Sequence, residues 1–378
     1  MPLHNLKYYP EERFVFDKKS DYQELSLGDL HGNALKLIYI LLYYDFIDLD
    51  KIAYYELYNL YIKDAKSLSS EDILSFEKIL SKIKYNPSHI KLIRFLGDVL
   101  SDRGSNDIFT LLIFQKLFEN KFNIEIVFSN HDMEFLMNYY GGKTEYFSAI
   151  ENYQYRSMLN LYYLLDHNVI DNKLVEPLVK NYFNHLKALS FTINKDNSKS
   201  INMYSHAPVG IESVRAFAEN YHLEFACDNI ENLALTIKKI NSCFCREAAS
   251  SLPRLFLRTR RNYFNYIEFY EKFCIDLASN SNKYKELFLQ NIHLFPLYYT
   301  AWNRNTELVE APINFVMRVV HGHSGQGEDT LKLGNLSLVN LDNSNNLGFT
   351  IPGYPKVGLK GSFGAYFIDP KGKPLLGK

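Results

Sequence analysis

Residues 22–32 read YQELSLGDLHG, a short run with alternating apolar residues that stops at Gly28-Asp29-Leu30-His31-Gly32. A strand that ends in a small polar loop accounts for this order, because β-favouring residues give way at once to residues that suit turns and ligands. The pattern recurs four times. Residues 90–96 run into Gly97-Asp98, and residues 124–128 into Ser129-Asn130-His131-Asp132. Residues 201–204 lead to Ser205-His206, and residues 315–320 to His321-Gly322-His323. Stretches with helical spacing lie between them, at 33–45, 67–83, 133–189 and 211–295. Strand, polar loop, helix is the repeating unit of an α/β protein, whose ligands sit where the loops at the strand ends converge. From residue 333 onward, glycines punctuate short alternating runs such as LSLVNLDN and AYFID, which predicts β-hairpins.

The chain has 378 residues, 47% hydrophobic and 15% aromatic, enough for a sizeable core and incompatible with a disordered linker. Its 42 Lys and Arg against 43 Asp and Glu give a net charge of -1, so no overall electrostatic footprint for nucleic acid exists. The longest apolar stretch, residues 35–47, contains Lys36 and Asp45 and falls short of the roughly 20 residues of a membrane span. The first twenty residues mix both charges without an apolar run, unlike a Sec-type signal peptide. The four cysteines form no CxxC pair and read as reduced thiols. The expectation is a cytoplasmic-type soluble protein.

Asp29, His31, Asp98, Asn130, His206 and His323 together supply carboxylate, imidazole and amide oxygen. That donor mixture suits manganese, iron or zinc rather than calcium. Two such ions roughly 3.5 to 4 Å apart, bridged by one carboxylate, would activate a water and clamp the oxygens of an in-line phosphoryl displacement. The implied chemistry is hydrolysis of phosphate esters.

In order, the motifs GDLHG, GDVLSDRG, SNHD, SHAPVG and GHSG resemble the calcineurin-like metallophosphoesterases, in particular the phosphoprotein phosphatase branch, whose motifs read GDxHG, GDxxDRG and GNHE followed by two separate histidines. The match spans Gly28 to Gly325. It implies an α/β fold, the four-layer αββα sandwich of that family, as a single catalytic domain over residues 20–378. Large α-helical insertions at about 48–88, 133–195 and 211–297 would form a cap or hairpin subdomain. The resemblance implies two divalent ions, manganese first with iron or zinc as alternatives. Asp29, His31 and Asp98 would hold the first; Asp98, Asn130, His206 and His323 would hold the second. It also implies phosphate binding by Arg103 and by Arg304, the latter in Ala301-Trp302-Asn303-Arg304. His131 would be the general acid, with Asp102 orienting it, and a metal-bound hydroxide would attack phosphorus. Taken singly, the aspartates could be helix caps, Asn130 a turn residue and His206 a core histidine. Six such residues at five strand ends in the family's order are not six coincidences. His323 is preferred to its neighbour His321.

Two departures matter. GDVLSDRG carries one residue more than GDxxDRG, which calls for a bulge between Asp98 and Asp102. The third motif has Ser129 and Asp132 where Gly and Glu are usual. The lengthened motif, the helical insertions and the Tyr-, Asn- and Lys-rich composition resemble the Wip-type effector phosphatases of intracellular bacterial pathogens. The expected function is a metal-dependent phosphoprotein phosphatase acting on Ser/Thr or Tyr phosphomonoesters, as a secreted effector translocated into a host cell. The alternatives are a small-molecule phosphatase or dinucleoside polyphosphate hydrolase, and a non-catalytic scaffold. The expected partner is a phosphorylated protein, with no nucleic acid and no membrane span.

Overall fold

All five apolar runs form strands. The computed structural model describes residues 4–13, 23–141, 155–195, 200–250, 313–323, 332–342, 360–361 and 363–375. Arg304 and the last insertion beyond residue 250 lie outside these residues. In chain order, β1 (His4–Asn5) and β2 (Glu24–Leu27) precede α1 (Ala34–Tyr43). Then come β3 (Ile47–Asp48), α2 (Lys51–Tyr61), α3 (Ser70–Leu80), β4 (Lys84–Tyr85), β5 (Leu92–Phe95) and α4 (Asp107–Glu119). Next are β6 (Ile124–Val127), α5 (Asn130–Gly141), α6 (Arg156–Asp166), α7 (Asn172–Asn184), β7 (Leu186–Lys187), β8 (Ser190–Asn194) and β9 (Ser200–Tyr204). Helices α8 (Ile211–Asn220) and α9 (Ile230–Ser250) are followed by β10 (Val316–His321), β11 (Lys332–Leu333), β12 (Leu336–Asn340), β13 (Lys360–Gly361), β14 (Ala365–Ile368) and β15 (Pro374–Leu375).

Two mixed sheets carry the architecture. One has the order β15-β14-β2-β5-β6-β7, with β2, β5, β6 and β7 parallel and the β14–β15 hairpin antiparallel at one edge. The other has the order β11-β12-β10-β9-β8, with β12, β10 and β9 parallel. The central strands β2, β5, β6 and β9 are buried along most of their length. The two sheets meet through Leu96, Val127, Tyr204, Val320, Leu341, Tyr366 and Ile368, and through Arg94, whose guanidinium lies over the Tyr204 ring. Register then sets the site. Leu27 pairs with Phe95 and Phe95 with Ile126, while Val320 pairs with Tyr204 and His321 with Asn340. The polar loops therefore leave their sheets at matching levels.

Local signals explain the flanking helices. Asn33 caps α1 by accepting from the Lys36 backbone N–H, and Asn106 caps α4 through Ile108. Within the region expected as the first insertion, α2 and α3 lie between the short antiparallel pair β3–β4, with a Ser69–Asp72 capping box opening α3. This unit reaches toward the site: the Tyr61 hydroxyl accepts from the Ser105 N–H at 2.9 Å. The structure departs from the helical reading of 133–195 at its end. Residues 186–187 extend the first sheet beside β6, and SFTIN at 190–194 forms β8, with alternate residues buried against β9. Among the described residues no helix is long and apolar enough to cross a membrane.

Candidate metal centre

Three sets of side chains place ligand atoms within 4.8 Å of one another: Asp29 with His31 and Asp98, Asp98 with His206 and His323, and Asp98 with Asp102 and His131. Asp98 belongs to all three. Asn130 joins the second set, its Oδ1 lying 2.9 Å from His206 Nε2. His321 joins none; its Nδ1 lies 2.9 Å from the Gly322 carbonyl. Nine of the ten residues singled out from the sequence thus gather in one place, and the tenth, Arg304, lies outside the described residues.

The donor chemistry fits cations. His206 Nδ1 is 2.7 Å from the Leu96 carbonyl, an acceptor only, so that nitrogen carries the proton and Nε2 presents a bare lone pair. Around that lone pair lie Asp98 Oδ1 at 3.2 Å, Asn130 Oδ1 at 2.9 Å and His323 Nδ1 at 3.1 Å. The Asp98 and Asn130 oxygens bring only lone pairs to it, and these repel unless a positive charge sits among them. His31 Nδ1 lies 2.5 Å from Asp102 Oδ2, which leaves Nε2 for a ligand, the usual arrangement of a metal-bound histidine backed by a carboxylate. Asp29 accepts from the His323 N–H at 3.1 Å through Oδ2, while its buried Oδ1 has no hydrogen-bond partner among the described residues. Such an atom is costly without a counter-ion.

Tight backbone turns make the convergence feasible. His31, Asp98, Ser101 and His323 all have positive φ, between 47° and 66°, half of the eight non-glycine residues so placed among the described residues. Strain of this kind concentrates at functional sites. Two glycines allow the loops to touch. A Cβ on Gly104 would overlap the Gly32 carbonyl, and one on Gly322 would overlap the Asp29 carboxylate.

Burial lifts the Asp29 carboxyl well above the usual range, and Asp342 and Asp98 add to the effect. Burial also opposes ionisation of Asp98, but His206, His131 and His31 outweigh it and hold that carboxylate low. Asp102 is held low against burial by His131, His31 and Arg103. Burial pushes the Lys36 ammonium down to about 8, against the pull of Asp29 and Asp342. For His131 burial is overcome by Asp102, Asp98 and Glu134, which raise it to about 9.

Asp102 lies beside His131 without a hydrogen bond to its ring. Its carboxylate bonds His31 and the Arg103 Nε, the latter at 2.9 Å, and Oδ2 is 3.6 Å from His131 Nε2. His131 Nδ1 instead donates to the Ser101 carbonyl at 2.6 Å. Ser101 lies in the lengthened stretch of GDVLSDRG; its N–H donates to Asp107, 3.0 Å from Oδ2. The bulge is thus absorbed by bonding in both directions. The unusual Ser129 and Asp132 also support each other, with Ser129 Oγ donating to Asp132 at 2.7 Å and the Tyr182 hydroxyl donating to its other oxygen at 2.7 Å.

Sequence reasoning missed three charged residues of the site. Asp342, two positions past β12, is buried and places Oδ1 3.8 Å from His31 Nε2. It follows a strand as the other ligands do, and that rule would have found it within LSLVNLDN. Lys36 is a buried cation whose Nζ donates to the Asp29 carbonyl at 2.7 Å. Glu134 lies beside His131, one helical turn on.

Among solved structures, the phosphatase domain from the Legionella effector WipB matches with a TM-score of 0.64 at 24% identity, covering 80% of this chain and 99% of that one. This likeness shows a shared fold. A cold-active protein tyrosine phosphatase matches at a TM-score of 0.37 and 14% identity, covering 98% of this chain and 81% of its own. The cold-active protein-tyrosine phosphatase of a Shewanella species matches at 0.34 and 13%, covering 98% and 84%. No relative is found among curated proteins. Residues 92–348 match the family model described as the WipA-like phosphatase domain. The match takes in more than half of the chain, from β5 past β12, and the chain therefore belongs to the family of WipA-like phosphatase domains.

Proposed function

We propose that this phosphatase-family chain is a metal-dependent phosphoprotein phosphatase, built as the four-layer αββα sandwich of the metallophosphoesterases with its helical insertions forming a cap. Asp29, His31 and Asp98 would hold one divalent ion, and Asp98, Asn130, His206 and His323 a second, manganese being the first choice. The observation that carries this reading is the sharing of Asp98 by two ligand groups whose lone pairs converge, beside a buried Asp29 oxygen that has no partner among the described residues. When bound, such ions would supply a water of lowered pKa and positive charge opposite the phosphate oxygens.

The chain's own residues perform the remaining work. Arg103 is anchored by Asp102 through Nε and Nη2 and its side chain is 31% exposed, so Nη1 remains for a phosphate oxygen. Arg304 would be the second clamp. His131, with Nδ1 committed to Ser101, keeps Nε2 on the side of Asp98 and Asp102, from which a proton can pass to the leaving oxygen. An effector role on host proteins is the setting in which we place this activity.

A panel of phosphotyrosine, phosphoserine and phosphothreonine peptides with dinucleoside polyphosphates, assayed with manganese and with chelator, tests the reading. Manganese-dependent phosphate release from peptides is expected and assigns the residue preference. Release from the nucleotides alone would point to a small-molecule enzyme, and metal binding without any release to a scaffold.

A further inference from the structure

Residues 101–105, the end of the lengthened GDVLSDRG stretch and the residue after it, belong to no helix or strand, so their buried main-chain groups take partners from outside. Helix α6 supplies several of them. The Ser157 N–H donates to the Asp102 carbonyl at 2.8 Å, and Ser157 Oγ accepts from the Asp102 N–H at 2.9 Å, so a single residue satisfies both. The same hydroxyl donates to the Asp107 carboxyl, which accepts the Ser101 N–H at 3.0 Å. On the same turn of α6, Met158 Sδ accepts from Ser101 Oγ at 3.4 Å and Asn160 Nδ2 donates to the Ser105 carbonyl at 2.6 Å. Ser101, Asp102, Asp107 and Ser157 are all fully buried.

Taking the proposed phosphatase reading as its basis, we infer that α6 braces the phosphate-binding loop and that Ser157 is a positioning residue, acting through Asp102 to aim Arg103. Asp102 is where the two functions meet. Its peptide groups are pinned by Ser157, and its carboxylate holds Arg103 through Nε and Nη2. With the main chain fixed at both N–H and C=O, the carboxylate has a defined origin and Arg103 Nη1 is delivered to one place. A loop lengthened by one residue has more conformations open to it, and the two bonds from Ser157 select one. Without Oγ the buried Asp102 N–H has no acceptor, and the loop can satisfy it only by moving. A displacement of about 1 Å at a substrate-positioning group is enough to lower the rate by up to about a hundredfold. This part of the second expected insertion therefore acts on the loop, and Ser157 itself touches no substrate.

Phosphate binding can be read separately from turnover. Inorganic phosphate is titrated calorimetrically into the manganese-loaded wild type and Ser157→Ala, and KM and kcat are measured on the phosphopeptide that the wild type turns over fastest. We expect the phosphate Kd and the KM of Ser157→Ala to rise roughly tenfold. A Kd within about twofold of the wild type, even with a lower melting temperature, would overturn the inference, because Ser157 would then serve stability alone. In an Arg103→Ala background, Ser157→Ala should change the phosphate Kd by less than about twofold, and a further tenfold rise would show that it acts elsewhere. If Ser157→Ala folds poorly, Asn160→Leu, which loses only the bond to Ser105, should raise the phosphate Kd about threefold, and an unchanged Kd there would count against the brace. A wild type that binds phosphate but hydrolyses no phosphopeptide would defeat the phosphatase reading while the Kd values still decide the brace. A wild type that binds no phosphate would defeat both.

Discussion

Arg94 and Asp98 lie four positions apart, one inside β5 and the other just beyond its end, and their surroundings treat charge in opposite ways. Arg94 is 1% exposed, yet every side of its guanidinium is answered. Nε donates to Ser190 at 2.7 Å and faces Glu125 at 3.3 Å, Nη1 donates to Ser26 at 3.1 Å and faces Glu24 at 3.3 Å, and the Tyr204 ring lies 3.8 Å away. Ser190 and Thr192 in turn donate to the two glutamates. Asp98 shares its pocket with Asp29, Asp102 and Asp342, and the fixed cations nearby are Lys36 and Arg103. One cluster is closed and joins two sheets. The other is short of positive charge, as a site that takes up cations must be.

Substitutions can break this comparison. The largest expected effect is that of Asp98→Asn, which removes the shared ligand and should cut manganese-dependent turnover at least about a hundredfold. Full turnover would reverse the assignment. Arg94→Met should do the opposite. Leaving Glu24 and Glu125 facing an apolar side chain should cost about 3 to 5 kcal/mol in urea unfolding, while the kcat of the folded protein stays within about twofold. If stability were unchanged, the inter-sheet network would not be what joins the sheets. Asp342→Asn should give the smallest change, a loss of about tenfold in manganese affinity read from half-saturation of activity, because it removes a negative charge 3.8 Å from His31 Nε2. An unchanged affinity would remove Asp342 from the centre.

The five strands were legible because each is a run of apolar residues stopped by a polar cluster, and the candidate ligands followed from those stops. Residues that depend on three-dimensional registration were not. Arg94 sits in LIRF, where alternation would turn it to solvent, and only the facing sheet buries it. SFTIN lay inside a helical stretch, and its pairing with β9 overrode the local reading. The lengthened GDVLSDRG announced a bulge, but spacing alone does not tell which ring nitrogen of His131 meets Ser101, so neither that bond nor the place of Glu134 could be read from it. Asp342 was hidden by its tail position, among turn residues that marked a hairpin.

The central claim is that Asp98 joins two cation positions in one catalytic centre. Metal content at equilibrium with manganese, measured on chelator-stripped wild type and Asp98→Asn by dialysis and elemental analysis, tests it most directly. The account predicts two ions per chain in the wild type and fewer in the variant. A stripped wild-type chain that binds none, or a variant that still binds two, would contradict it.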